Sequence, residues 1–214
     1  MIDQREPKER PILFSADMIR DILEGRKIQT RRVIKDIDKW DIGCLRDDRR
    51  IGKPIGEVEF FYYDDRGYTR IEPPLGRAGD RLWCKETWAI ASWLQPVGDE
   101  IHRFEGVRYR ATDSADGIIQ WRSSIHMPRW ASRLTLEITE VRVEQVREIS
   151  HEDIVAEGLP YSLCIYADEE GYKDFDAIEH VDLFADLWDS INARRGYGWD
   201  ANPWVWCISF RRLI

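Results

Sequence analysis

The sequence has no run approaching the ~18 to 20 consecutive apolar residues that a membrane-spanning helix needs, and it opens on the charged Met1-Ile2-Asp3-Gln4-Arg5-Glu6 where a secretory signal would be apolar. This pattern predicts a cytoplasmic protein with no membrane partner. Cysteine is sparse: Cys44, Cys84, Cys164 and Cys207 lie far apart, with no Cys-x-x-Cys pair and no His-x-x-x-His. Neither a zinc site nor a disulfide framework is indicated, so no metal and no cofactor is expected. Internal repeats, low-complexity tracts and a surplus of positive charge are also missing. With 40 acidic against 32 basic residues and a net charge of -8, the composition excludes a protein that holds nucleic acid mainly by general attraction to phosphate. A local basic pocket stays open.

The 214 residues, 43% hydrophobic and 34% charged, suit one globular domain whose core is large enough to need no staple. Ten tryptophans exceed what such a core requires, because the large indole is seldom fully buried and its N–H wants a partner. Some of them are expected to line a surface or cleft. Residues 1–10 are polar, contain Pro7 and lack periodicity, which predicts a loose arm. The rest, 11–214, reads as a single domain with insertions near 36–78, 92–120 and 160–180.

Ser15 is a good N-cap, and Met18, Ile19, Ile22 and Leu23 recur at helical spacing before Gly25, predicting a helix over 15–24. Strands are predicted at Thr30–Ile34, Gly56–Tyr63, Arg81–Glu86, Val107–Ala111, Leu134–Ile138, Val141–Val146 and Trp204–Arg212. Ser150 caps a short helix ending at Gly158, and Val181, Leu183, Phe184, Leu187, Trp188 and Ile191 mark a longer one. The segment 160–180 reads as acidic and irregular. Strands punctuated by three helices, without regular βαβ alternation, predict an α+β fold built on a small mixed or antiparallel barrel.

The densest chemical signal is Gly25-Arg26-Lys27-Ile28-Gln29-Thr30-Arg31-Arg32, a positive corner on an acidic protein, set where a helix ends and a strand begins. An anonymous basic turn commonly does no more than neutralise a helix C-terminus. A lysine held neutral by burial or by crowding cations is, however, a base or nucleophile.

Gly25-x-Lys27-x-x-Thr30-x-Arg32 after a short helix resembles the Gly-x-Lys-x-x-Glu-x-Arg signature of the ASCH family, relatives of the PUA-like RNA-binding barrels, with Thr30 where the signature has Glu. The resemblance extends to Pro11-Ile12-Leu13-Phe14-Ser15, Gly79-Asp80-Arg81-Leu82-Trp83, Glu86-Thr87-Trp88, Met127-Pro128-Arg129-Trp130-Ala131 and Asn202-Pro203-Trp204-Val205-Trp206, similar to a phage- or prophage-borne branch of that family. It implies a PUA-like barrel with flanking helices. ASCH members that act as amidohydrolases on N4-acetylcytidine also carry Thr at this position and use a Lys, Thr and Glu triad. The resemblance therefore implies Lys27 and Thr30 as catalytic residues. It sets Glu157, in Ala156-Glu157-Gly158, as the best match for the third, with Glu86 the other carboxylate to consider.

In that chemistry a neutral Lys27 would take the threonine proton or activate water, and Glu157 would pass a proton to the leaving N4. Trp83, Trp88 and Trp130 are candidates to stack on the base, each with core packing as the competing role. Glu86 could read a cytosine amino group or pair with an arginine. Gly25, Arg26, Arg31, Arg32 and Arg129 complete the expected substrate contacts. His126, beside Ser124, lacks an orienting acid and is not read as a catalytic base.

The expected function is hydrolysis of an acyl group from the N4 of cytidine or a related modified nucleoside. The alternatives are a module that binds a modified base or single-stranded nucleic acid without chemistry and, behind it, a metal-independent ribonuclease.

Overall fold

The computed structural model describes residues 6–35, 60–64, 67–71, 73–98, 100–113, 120–159, 165–168, 171–174 and 177–213. In chain order the elements are β1 (Glu9–Leu13), α1 (Ala16–Leu23), β2 (Gln29–Val33), β3 (Phe60–Asp64), β4 (Gly67–Ile71), β5 (Arg81–Lys85), β6 (Trp88–Val97) and β7 (Glu100–Tyr109). They continue with β8 (Thr135–Gln145), α2 (His151–Ala156), β9 (Ile165–Asp168), β10 (Gly171–Asp174), α3 (Ala177–Asn192) and β11 (Trp204–Leu213). The fold is mixed α+β. Its centre is a five-stranded sheet in the order β1-β5-β8-β11-β2, with β1 parallel to β5 and every other neighbouring pair antiparallel.

Among the described residues no backbone ladder closes this sheet into the expected barrel. Its two edge strands, β1 and β2, are instead bridged by a side chain: Arg32 Nη2 donates to the Leu13 carbonyl at 2.9 Å, with its guanidinium 5.4 Å from the Phe14 ring centroid.

The long strand β8 shows how the sequence sets the core. Its apolar residues fall on even positions up to Ile138 and on odd positions from Val141, which by strict alternation would put them on opposite faces. A bulge resolves the conflict. Phe210 of β11 pairs with Ile138 and Ser209 with Glu140, so Thr139 is the extra residue. Leu136, Ile138 and Val141 then join one core with Ile208, Phe210 and, from α1, Ile19 and Ile22. The two strands expected over 134–146 are thus a single strand.

The opposite face of the sheet is covered by α2 and α3, where Ile154, Phe184 and Trp188 pack on Val205. A third cluster joins Trp88, Met127 and Ala131. With Val205 in one core and Trp206, Ile208 and Phe210 in the other, β11 is buried on both sides, as a central strand must be.

All three regions read as insertions contain regular structure, with the hairpin β3–β4 inside 36–78. Most of 92–120 belongs to the hairpin β6–β7, whose first strand carries no clean alternation, and 165–174 forms the hairpin β9–β10, with α3 beginning at Ala177 rather than near Val181. Cross-strand pairing supplies the order that local pattern does not. The strand expected at Gly56–Tyr63 is seen as Phe60–Asp64, and its first residues, with Cys44 and Cys164, lie outside the described residues. Among the described residues, no helix is long and apolar enough to cross a membrane.

Candidate active site

The site begins at the end of α1. Ser15 caps this helix by accepting the Met18 N–H, and at its far end Gly25 takes a φ of +78°, a left-handed turn open to glycine at little cost. The N–H groups of Arg26 and Lys27 both donate to the Asp21 carbonyl, at 2.8 and 3.1 Å, reversing the chain. Ile28 is then stitched on both sides: its N–H donates to the Ala156 carbonyl at 2.8 Å, and its carbonyl accepts from Phe210 at 2.9 Å. The turn is thereby fixed to the end of α2.

That end is built to approach closely. Ser150 caps α2 by accepting the Asp153 N–H, and Glu157 closes the helix before Gly158, whose φ is +97°. A Cβ at Gly158 would sit 3.2 Å from the Cβ atoms of Asp21 and Lys27, so any other residue there would press the two segments apart. With glycine, Lys27 and Glu157 meet across 130 residues of sequence. Lys27 Nζ donates to Glu157 Oε2 at 2.5 Å and to the Glu157 carbonyl at 2.7 Å. Lys27 is only 2% exposed and Glu157 8%.

Arg31 holds this pair from the other side. Its Nη1 donates to Glu157 Oε1 at 3.2 Å and to Gln29 Oε1 at 2.7 Å, while Nη2 reaches Asp153 Oδ2 at 2.8 Å and Nε reaches Glu144 Oε1 at 2.8 Å. Burial pulls the Lys27 amine below the ordinary lysine value, and the nearby Arg32 charge adds to this; the Glu157 carboxylate opposes both without reversing them. A proton on Lys27 is therefore held less tightly than on a surface lysine.

Beside the pair lies a cavity of about 290 Å³. Four successive residues of β2, Thr30 to Val33, line it, together with Glu157, as expected where an opening flanks the free edge of an edge strand. Phe184, Leu187, Trp188 and Ile191 of α3 form another wall, and Lys35, Arg195 and Tyr197 also face it. Trp188 is fixed by its Nε1, which donates to the Tyr197 carbonyl at 2.8 Å.

The structure therefore gathers Lys27, Thr30, Glu157, Arg31 and Arg32 in one place. The remaining expected residues lie elsewhere. Gly25 serves the turn, and Arg26 is spent on the surface, pairing with Asp21 at 2.5 Å and with Glu24. Glu86, 1% exposed, is clamped by Arg133, whose Nε and Nη2 each reach one carboxylate oxygen at 2.9 Å. Trp88 is buried and meets the 67%-exposed Trp130 edge-on at 5.8 Å between centroids. Trp83 points off β5 between Lys85 and Arg129, at 5.6 and 6.0 Å, and Arg129 also pairs with Glu9 at 3.1 Å. None of these lines the cavity.

The aromatic residues that do face it are Phe184, Trp188 and Tyr197, which sequence reasoning either assigned to the core face of the long helix or passed over. The signal that could have found them is Arg194-Arg195-Gly196-Tyr197, a basic turn directly after an apolar helix.

One further group could in principle take a metal. The ligand atoms of Glu144, Asp153 and Cys207 lie within 4.8 Å of one another. Their chemistry argues against it: Arg31 and Arg142 both pair with Glu144 and with Asp153, and burial drives the Cys207 thiol up to about 12. A cation would have to displace two guanidinium groups. Compared with known proteins, the chain matches no family model, no curated protein and no solved structure.

Proposed function

We propose that the protein is an amidohydrolase that removes an acyl group from the N4 of cytidine or a related nucleoside, on an ASCH-type, PUA-like scaffold. What supports this reading is that Glu157, hydrogen-bonded to the buried Lys27, lines a cavity that Thr30 also lines. The volume of about 290 Å³ stands at the lower end of the roughly 300 to 1,000 Å³ found for small-molecule sites. It is the size for a nucleoside rather than a folded nucleic acid.

Lys27 in its neutral form accepts the Thr30 hydroxyl proton as the Thr30 oxygen bonds to the acyl carbon, and the carbonyl electrons move onto its oxygen. When they return, the C–N4 bond breaks and the proton passes from Lys27, directly or through Glu157, to the departing amino group. Water, deprotonated by Lys27, then cleaves the acyl-threonine and restores the hydroxyl. A variant of the same chemistry has Lys27 activate water without the covalent step. Arg31 draws on the Glu157 charge and so weakens its hold on the lysine proton. Trp188 and Tyr197 give the base apolar surface, and the free edge of β2 offers main-chain groups to read it.

The test is deacylation of N4-acetylcytidine to cytidine by the purified protein. Turnover is expected to fall about 100-fold or more in Lys27→Ala and in Thr30→Ala. In the native protein the rate is expected to rise with pH, because the amine must be neutral, with a midpoint below the ordinary lysine value of 10.5. Absence of turnover on every N4-acyl substrate, with cytidine binding retained in Lys27→Ala, would establish a binding module instead.

A further inference from the structure

The charge on the cavity wall is uneven in a way that hydrolysis of an uncharged amide does not require. Its one carboxylate, Glu157, is committed to Lys27 and Arg31, and Arg31 spends its own donors on four side chains. Three further cations face the same space: Arg32, Lys35 and Arg195. Among the described residues, none of the three is paired with a carboxylate. Arg32 has the Leu13 carbonyl and the face of Phe14 as partners, neither of which neutralises it.

This arrangement is costly. Burial makes the Arg32 guanidinium easier to deprotonate than an ordinary arginine and the like charge of Arg195 adds to this, while the nearby Glu157 carboxylate opposes both without reversing them. On a protein with a net charge of -8, carboxylates to neutralise these cations are plentiful, yet among the described residues Glu157 is the single carboxylate on this wall, and it is already shared between Lys27 and Arg31. Arg195, next to the end of α3, also meets that helix's negative pole, but this accounts for neither Arg32 nor Lys35. The three belong to β2, the second residue past its end, and the turn after α3, so one helix end or one charge run does not explain them.

We infer that Arg32, Lys35 and Arg195 form a phosphate subsite, and that the physiological substrate is an acylated cytidine nucleotide carrying a phosphate rather than the free nucleoside. The chemistry follows from donor type. Two guanidinium groups present forked N–H donors that match phosphate oxygens, and the lysine adds a point charge. Arg32 stands on the cavity wall with Thr30 two residues before it, while Lys35 and Arg195 are exposed and supply charge from the solvent side. A mononucleotide fits the small volume and the acidic exterior, which would repel a long polyanion. The base assignment rests on the cytidine hydrolase reading; the phosphate assignment rests on the three cations.

The experiment separates the two. Calorimetric titration with cytidine 5′-monophosphate and with cytidine measures the phosphate preference without any acyl chemistry. The nucleotide is expected to bind about ten-fold or more tightly, with inorganic phosphate competing. The preference is expected to collapse in Lys35→Gln/Arg195→Gln, two surface changes that spare the core. Equal binding of the two ligands, or a preference that survives this double variant, would overturn the subsite. Tighter, strongly salt-dependent binding of a cytidine-containing oligonucleotide than of the mononucleotide would overturn the mononucleotide assignment. Deacylation of N4-acetylcytidine and of its 5′-monophosphate, assayed in parallel, reports on the hydrolase reading separately. Nucleotide preference without turnover refutes the hydrolase alone, and turnover without preference refutes the subsite alone.

Discussion

Glu157→Ala is expected to destabilise the protein by about 3 to 5 kcal/mol, because it strands the Lys27 ammonium in the interior with only a backbone carbonyl as acceptor. For a domain of this size that corresponds to a fall of roughly 6 to 20 °C in Tm. The sign of its pH dependence follows from the cause. Without Glu157 the Lys27 amine is depressed further below its unfolded value, so the folded state binds fewer protons than the unfolded chain and stability rises with pH. The deficit should shrink as pH climbs toward the ordinary lysine value of 10.5. Removing both charges as Lys27→Met/Glu157→Leu is expected to restore most of the stability and none of the activity, since an apolar pair of similar volume escapes the desolvation cost. Thermal unfolding at several pH values, beside the deacylation assay, checks both statements. A double variant as unstable as Glu157→Ala would show that the pair is held by more than charge.

Arg133→Ala is expected to produce the second large loss, about 2 to 3 kcal/mol, through the opposite charge. Glu86 is buried with both oxygens on Arg133, and without that partner a carboxylate is left inside. The loss is smaller than for Glu157 because Arg133 itself is partly open to water. Deacylation by the folded fraction is expected to stay near that of the native protein, because neither residue faces the cavity. A Tm unchanged by more than about 1 °C, which is well under 1 kcal/mol for a domain of this size, would contradict the ion-pair account. A large fall in activity at unchanged Tm would return Glu86 to the active site.

The local part of the site was legible in the amino-acid sequence for good reasons. Ser15, the spacing of Ile19 and Ile22, and Gly25 specify a helix and its stop, and the lysine and threonine that follow lie within three residues of one another. The Glu157 contact was reached only through family resemblance, because nothing local in residues 150–158 reports which segment the helix end will touch. The tryptophans misled for a physical reason. Trp83, Trp88 and Trp130 were conspicuous in turn-rich motifs, whereas Trp188 was hidden in a helical apolar stripe. A helix that walls a cavity shows the same 3.6-residue period as one that packs solidly on a core. Arg195, in the basic turn after α3, could be connected with Arg32 only once α3 and β2 were seen to wall one cavity.

The order in which the chain is made has a consequence for its birth on the ribosome. β11 is the last strand of the described fold, yet it is the one that lies between β8 and β2. Until it is inserted, β2 has no neighbour in the sheet, and Ile28 lacks the Phe210 N–H that helps fix the turn before it. The basic corner, encoded within the first 32 residues, therefore waits for a segment synthesised some 175 residues later. Pairings over such separations close slowly and leave strand edges bare in the meantime. The nascent protein should thus be a client of chaperones, and activity should appear abruptly with complete chains rather than accumulate as the polypeptide emerges.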